Sequence, residues 1–447
     1  LILFKDFVFG NRLLIFTDIG SDTYYSYYRF YYFLTEHIQN LDLPLWSFQM
    51  GMGTNVLTSY QLLYDPFSLV YYIVGADNIS SVIVYTFILK AALSAWFSFV
   101  FFRYIGISII PAVVCSFLFA FNGYSMLWGQ HYFFGSSVVF LPLLLYALEK
   151  WLEEGKWLLL VMIFALLALN IYNFYQMFAL VLIYYLFRFY VKFGFNMRLF
   201  INSTLRLGAI FLLSIGLVAV LVLPEYYLLT NSPRVSGVSL SSFFQGALNL
   251  NTADYYFSAL CRFFSNNIQG VGSNYIGFLN YYESIQLYCG LLFLLMLPQV
   301  YYVFDRRQKV IASAGIVTAL LFIGFPIFAQ IMNGFQYPTY RWGFDVIFAE
   351  LLLLAYLLHA VIQSGRINHV VLLVTSLVLV SYLLLINYNY VHNHDIYNYN
   401  IKKIFHSILF LLSYSVLVSY ISKKGVQRKS AVLLLLVVVL PCEMVLE

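Results

Sequence analysis

Apolar runs of membrane-spanning length recur along this chain, separated by short polar punctuation. A spanning helix needs about 20 apolar residues. Runs of that order begin near Ile79, Ile107, Tyr132, Trp157, Arg206, Glu283, Val310, Gly343, His369, Ile404 and Ser430. The run from Trp157 to Phe187 is too long for one helix and short for two. Its middle, Asn170-Ile171-Tyr172-Asn173-Phe174-Tyr175-Gln176, is polar and aromatic and predicts two short helices joined by a turn. Ahead of these runs lies a long polar-bearing stretch, Phe16 to Phe67. Asp18 and Asp22 open it, a tyrosine-rich segment and a Gly-Met-Gly turn follow, and Asp65-Pro66 closes it. The residues after Asp22 predict a helix lying along the membrane surface.

Composition turns this pattern into a class. Of 447 residues, 62% are hydrophobic and only 10% charged, against roughly 25% charged in a soluble domain. Mean hydropathy is +0.83. An all-α polytopic membrane protein is expected. The 20% aromatic share suits lipid-facing walls, interfacial belts and a cavity able to stack rings. The four cysteines show no C-x-x-C spacing, which speaks against a thiol-metal or redox centre. Leu1-Ile2-Leu3-Phe4 reads as the tail of an apolar segment, so a helix is expected before it, and the chain stops at Glu447 at the end of another apolar run.

Basic residues orient the bundle. With the 16–67 loop outside and the Trp157 run taken as a hairpin, the cytoplasm receives Arg103, Lys150, Lys156 and the Arg188–Arg206 block. It also receives Arg306, Arg307, Lys309, Arg366 and the Lys423–Lys429 cluster. Cytoplasmic loops carry the Lys/Arg excess, so this arrangement is preferred. A single span there would throw the Arg188–Arg206 block outside. The long connections, 16–67 and 225–282 above all, then face the exterior, where long loops tend to carry function.

Few residues in this setting can do chemistry. Asp22 and Asp18 are carboxylates at the mouth of a membrane bundle, costly unless solvated, paired or used; each could equally be a helix cap or part of a turn. Lys90 stands inside an apolar run, at a cost of about 2.5–3.5 kcal/mol unless it snorkels or finds a carboxylate or a lipid phosphate. Arg341 and Arg234 are guanidinium groups suited to phosphate, although Arg341 could instead pair with Asp345 at i+4. Glu283 is expected at the start of a span, and His131 reads as an interfacial histidine. No H-x-x-x-H, D-x-D or GxxxxGK[ST] pattern gives direct support for metal or nucleotide binding.

The stretches Thr17-Asp18-Ile19-Gly20-Ser21-Asp22-Thr23, Leu45-Trp46-Ser47-Phe48-Gln49-Met50-Gly51-Met52-Gly53-Thr54-Asn55 and Asp65-Pro66-Phe67 resemble the YfhO family of bacterial membrane proteins. So do Lys90, Leu141-Pro142-Leu143, Tyr282-Glu283 and the segment from Asn333 to Trp342, all in the family's order. The resemblance implies a GT-C-like bundle of about 12 transmembrane helices over residues 1–447. Its long first extracytoplasmic loop, 16–67, would carry surface-lying helices, with 225–282 as a second long loop. It implies a glycosyltransferase at the outer face of the bacterial plasma membrane, taking a sugar from a polyprenyl-phosphate donor to a cell-surface polymer such as lipoteichoic acid. Carried onto this chain, Asp22 becomes the catalytic base with Asp18 as its understudy. Arg341, Lys90 and Arg234 would meet the donor phosphate, and Tyr24, Tyr25, Gln49, Asn55 and Glu283 would line the substrate pocket. No organic cofactor or nucleic acid is expected, and a divalent metal is left open. A transporter or flippase of lipid-linked sugars, or a non-catalytic scaffold for envelope assembly, are the alternatives.

Overall fold

The computed structural model describes residues 3–17, 22–49, 51–59, 61–231, 249–393, 401–423 and 426–446. Among them, ten helices are long and apolar enough to cross a bilayer, and three shorter apolar helices accompany them. The chain is an all-α polytopic membrane protein. It forms two compact units. One takes Leu1–Phe101, Trp128–Gly246 and Gln330–Tyr337; the other takes Phe102–Leu127, Ala247–Ala329 and Pro338–Glu447.

In the first unit, a π-helical turn, Thr23–Tyr28, runs into an α-helix, Arg29–Gln39. That helix buries Phe30, Tyr31, Phe33, Leu34 and Thr35 and leaves Arg29 and Tyr32 exposed, a one-sided pattern that fixes which face packs. Tyr31 meets Tyr71 of the short helix Leu69–Val74, with ring centroids 4.7 Å apart. Between these helices a two-stranded hairpin pairs Trp46 with Asn55 and Ser47 with Thr54. Gly51 and Gly53 turn it, at φ of 61° and 111°. The long helices Ile79–Tyr104, Tyr132–Glu154, Ile171–Phe193 and Met197–Leu217 follow along the chain.

The Trp157 run breaks at its polar middle, but only the first arm is short; the second is a 23-residue helix of spanning length. Leu158–Ala168 ends, and Asn170 caps Ile171–Phe193 by accepting the Asn173 backbone N–H at 3.2 Å. Eleven residues rise only about 16 Å, so the first arm is half a bilayer core long. Away from this turn, fully buried Glu149 of the Tyr132 helix receives Arg188 in a fork, Nε to Oε1 at 2.5 Å and Nη2 to Oε2 at 2.7 Å. Tyr184 adds a third donor at 2.6 Å. A buried carboxylate needs such saturation.

In the second unit, Gly343–Ser364 packs on Ile109–Ala120, and Leu291–Met296 lies against His369–Asn393 and Ile401–Ile421. Buried Glu443 is tolerated in its apolar helix because Tyr288 Oη, the Leu291 backbone N–H and Tyr414 Oη all donate to it. Helices 306–324 and 369–388 keep most of their apolar surface outside the packed protein, as lipid-facing helices do.

Two expectations change here. The run read from Glu283 becomes helical only at Leu291, after Gly290 at φ 98°. Residues 265–290 hold only one short 3-10 turn, Gly272–Asn274. Arg262 makes this excursion possible without a ladder: Nη1 donates to the Asn266 carbonyl at 2.6 Å and to Gln286 Oε1 at 3.2 Å, and Nη2 to the Tyr281 carbonyl at 2.7 Å. The connection 225–282 also starts inside a helix, Ala219–Thr230, and holds another, Ala253–Phe264.

Candidate functional site

Asp22 opens the Thr23–Tyr28 turn, yet its side chain makes no capping hydrogen bond. The carboxylate is instead half-exposed, with Oδ2 3.9 Å from His131 Nδ1. The same nitrogen lies 3.1 Å from Tyr27 Oη. His131 itself is buried against the rings of Trp128 and Tyr27. One residue before it, the Gln130 carbonyl accepts Thr23 Oγ1 at 2.9 Å. One residue after it, the Tyr132 carbonyl accepts Lys90 Nζ at 2.7 Å. Three consecutive residues at the head of the Tyr132 helix therefore grip the start of the first-loop helix and the intramembrane lysine. His131, read from sequence as an interfacial histidine, is the pivot of this arrangement.

Lys90 resolves its burial through a carboxylate. Its ammonium lies 3.7 Å from Asp65 Oδ2 and 5.0 Å from the centre of the Phe67 ring. Asp65 in turn accepts Ser136 Oγ on Oδ2 at 2.7 Å and the Phe67 backbone N–H on Oδ1 at 3.1 Å. Both charges are buried, so each is the other's condition for being there. Burial, together with the Asp65 charge, holds the phenols of Tyr31, Tyr71 and Tyr72 above their ordinary range. Asp65 and Ser136 did not figure among the sequence candidates. The available signal was Lys90 itself, which demanded a counter-charge, and the Asp65-Pro66 pair at a loop end.

The remaining described first-loop candidates lie at the start of the helix and on the hairpin. Tyr24 and Tyr25 stand exposed, edge to face at 5.3 Å, with the Arg29 guanidinium 5.5 and 5.8 Å from their ring centres. Gln49 is exposed at the hairpin turn, its backbone N–H on Ser47 Oγ. Asn55 is half-buried and accepts the Leu57 backbone N–H at 3.0 Å, an Asx turn leading out of the hairpin. Asp18 and Arg234 lie outside the described residues.

In the second unit, Arg341 binds Glu283 through Nε, 3.1 Å from both carboxylate oxygens, and through Nη2. The side chains keep 28% and 19% of their surface open. The i+4 partner read from sequence, Asp345, is not the one used: it is buried, and neither carboxylate oxygen finds a hydrogen bond among the described residues. Among those residues no three His, Cys, Asp or Glu side chains converge as a metal site.

Bilayer-length apolar helices, one carboxylate–guanidinium pair between two of them and a buried lysine met by a loop carboxylate, define a multi-pass integral membrane protein. The family model described as bacterial membrane protein YfhO matches residues 1–447, and the chain belongs to that family. No curated protein and no solved structure matches it.

Proposed function

We propose that this chain is a GT-C-type glycosyltransferase of the bacterial plasma membrane. It would move a sugar from a polyprenyl-phosphate donor to a hydroxyl of a cell-surface polymer, lipoteichoic acid being one such acceptor, at the outer face. One observation carries this reading: a half-exposed carboxylate, Asp22, is held beside a buried histidine instead of capping its own helix. A carboxylate open to solvent can take the proton of an acceptor hydroxyl. The hydroxyl oxygen then bonds to the anomeric carbon as the carbon–oxygen bond to the lipid phosphate breaks, and configuration inverts. The phosphate leaves with the bonding electron pair, and a fixed guanidinium is suited to that charge. Arg341, held by Glu283, is a guanidinium of that kind, and belongs to the second unit alone. Lys90 is assigned to Asp65 instead.

The test is Asp22→Asn in the full chain, reconstituted in lipid with a polyprenyl-phosphate sugar. Transfer should fall by about 10²-fold or more while donor binding persists. Transfer at the native rate would remove Asp22 from the reaction.

A second reading, transport of a lipid-linked sugar, is favoured by Asp345. It is an intramembrane carboxylate without a hydrogen bond among the described residues, and such groups mark ion or proton paths. On that reading Asp345→Asn stops movement of the lipid across proteoliposomes, and Asp22→Asn leaves it unchanged.

A further inference from the structure

The first-loop hairpin turns its apolar side outward. Trp46 and Phe48 are exposed, and Ser47 between them is buried. Alternate residues of a strand point to opposite faces, so this is the reverse of a strand that meets water. Leu45 is exposed beside Trp46, and Met52 at the turn keeps 98% of its surface open. From Leu43 to Tyr64 the sequence carries no charge; Asp42 and Asp65 bracket it. A patch of this kind marks a contact with membrane or protein, and its height in the bilayer decides between them.

Lys90, the partner of Asp65, donates to the carbonyl of Tyr132, the first residue of a 23-residue helix. That helix is about 34 Å long, and the hydrocarbon of a bilayer is about 30 Å thick. Glu153 and Glu154 are exposed at its far end, where charges belong in water. Its head, and the Asp65–Lys90 pair with it, therefore stands at the opposite boundary between hydrocarbon and head groups. The uncharged segment that ends at Asp65 meets the bilayer at this level. Val56–Ser59, directly after the hairpin's second strand, packs on Ala219–Thr230. Val220, Leu223, Tyr226 and Tyr227 of that helix are exposed, as on a lipid-facing surface, and the hairpin patch is joined to it. We infer that the hairpin dips into the bilayer interface at this boundary, with Leu45, Trp46, Phe48 and Met52 among the upper acyl chains. Tryptophan favours that depth. The strands pair Trp46 with Asn55 and Ser47 with Thr54, and head-group water can serve the amides outside the ladder. The inference is independent of the role given to Asp22.

Depth-dependent fluorescence quenching tests this. Of the four cysteines only Cys442 is exposed, so Cys442→Ser gives a background in which a new surface thiol is labelled selectively. Phe48→Cys and Met52→Cys place an NBD fluorophore on the two sides of the hairpin turn. Asn40→Cys places it on the exposed end of the Arg29–Gln39 helix, next to exposed Asp42. Each full chain is reconstituted in phosphatidylcholine nanodiscs. One quencher is a phosphatidylcholine with a nitroxide high on its acyl chain; the other is iodide in the buffer. The labels at 48 and 52 should emit further to the blue than the label at 40. The nitroxide lipid should quench them several-fold more strongly than it quenches the label at 40, and iodide several-fold less. Iodide reaching 48 and 52 as readily as 40 would overturn the inference, because the patch would then stand in water. Protection of 48 and 52 from both quenchers would overturn it too, because protein would then cover the patch.

Discussion

Lys90 shows how far a single residue can be read from sequence. Its cost in an apolar run was visible, and so was its need for a partner. The identity of that partner was not, because Asp65 lies 25 positions earlier, across two turns of chain direction that periodicity does not encode. The same holds for His131, whose role rests on Asp22 arriving from a separate loop. The pair makes a direct prediction. Lys90→Met leaves Asp65 charged and buried, and should cost about 3–5 kcal/mol, read as a fall in thermal midpoint. Adding Asp65→Leu to Lys90→Met should recover most of that loss. A double variant as unstable as the single one would show that the two groups are not coupled.

At the scale of elements, polarity was the reliable guide. The Asn170 break was legible because asparagine, tyrosine and glutamine interrupt an apolar run, and the structure uses that asparagine as a cap. The excursion 265–290 was not legible. Its side chains Ile268, Ile285 and Leu287 are buried like those of a span, and two of its backbone carbonyls are met by a guanidinium from the preceding helix. The first-loop hairpin gives a test at this scale. A Cβ on Gly53 would lie 2.9 Å from Trp46 Nε1 and 3.1 Å from Phe48, at a φ of +111° that side-chain-bearing residues rarely adopt. Gly51, at φ +61°, has open space around it. Gly53→Ala should therefore raise the rate of proteolysis within 45–55 several-fold, and Gly51→Asn should leave it near the native rate. Equal rates for the two would mean that the hairpin does not limit cleavage.

For the whole molecule, the buried tyrosines set the response to alkali. Burial raises the Tyr31, Tyr71, Tyr72, Tyr255 and Tyr340 phenols above the value of 10.0 that they have in the open chain. Below pH 10 both folded and unfolded chains hold these protons, and the stabilisation is complete. Above it the unfolded chain releases them first. Stability then falls as pH rises, by about 1.4 kcal/mol per pH unit for each such phenol. A thermal midpoint flat from pH 7 to 9 and dropping steeply from 10 to 11 is expected, with absorbance at 295 nm rising in two steps, the exposed phenols first and the buried ones only on unfolding. Phenols ionising fully in the folded protein at pH 10.5 would contradict this.

The Arg262 clamp has one more consequence. Because it fastens both ends of the excursion, the tip between them is free of structural duty: Ser273 and Asn274 are exposed. Ser273→Cys there becomes a reporter of sidedness. A membrane-impermeant maleimide applied to intact cells should modify it if that tip meets the medium, whereas protection until the cells are opened would invert the assigned orientation.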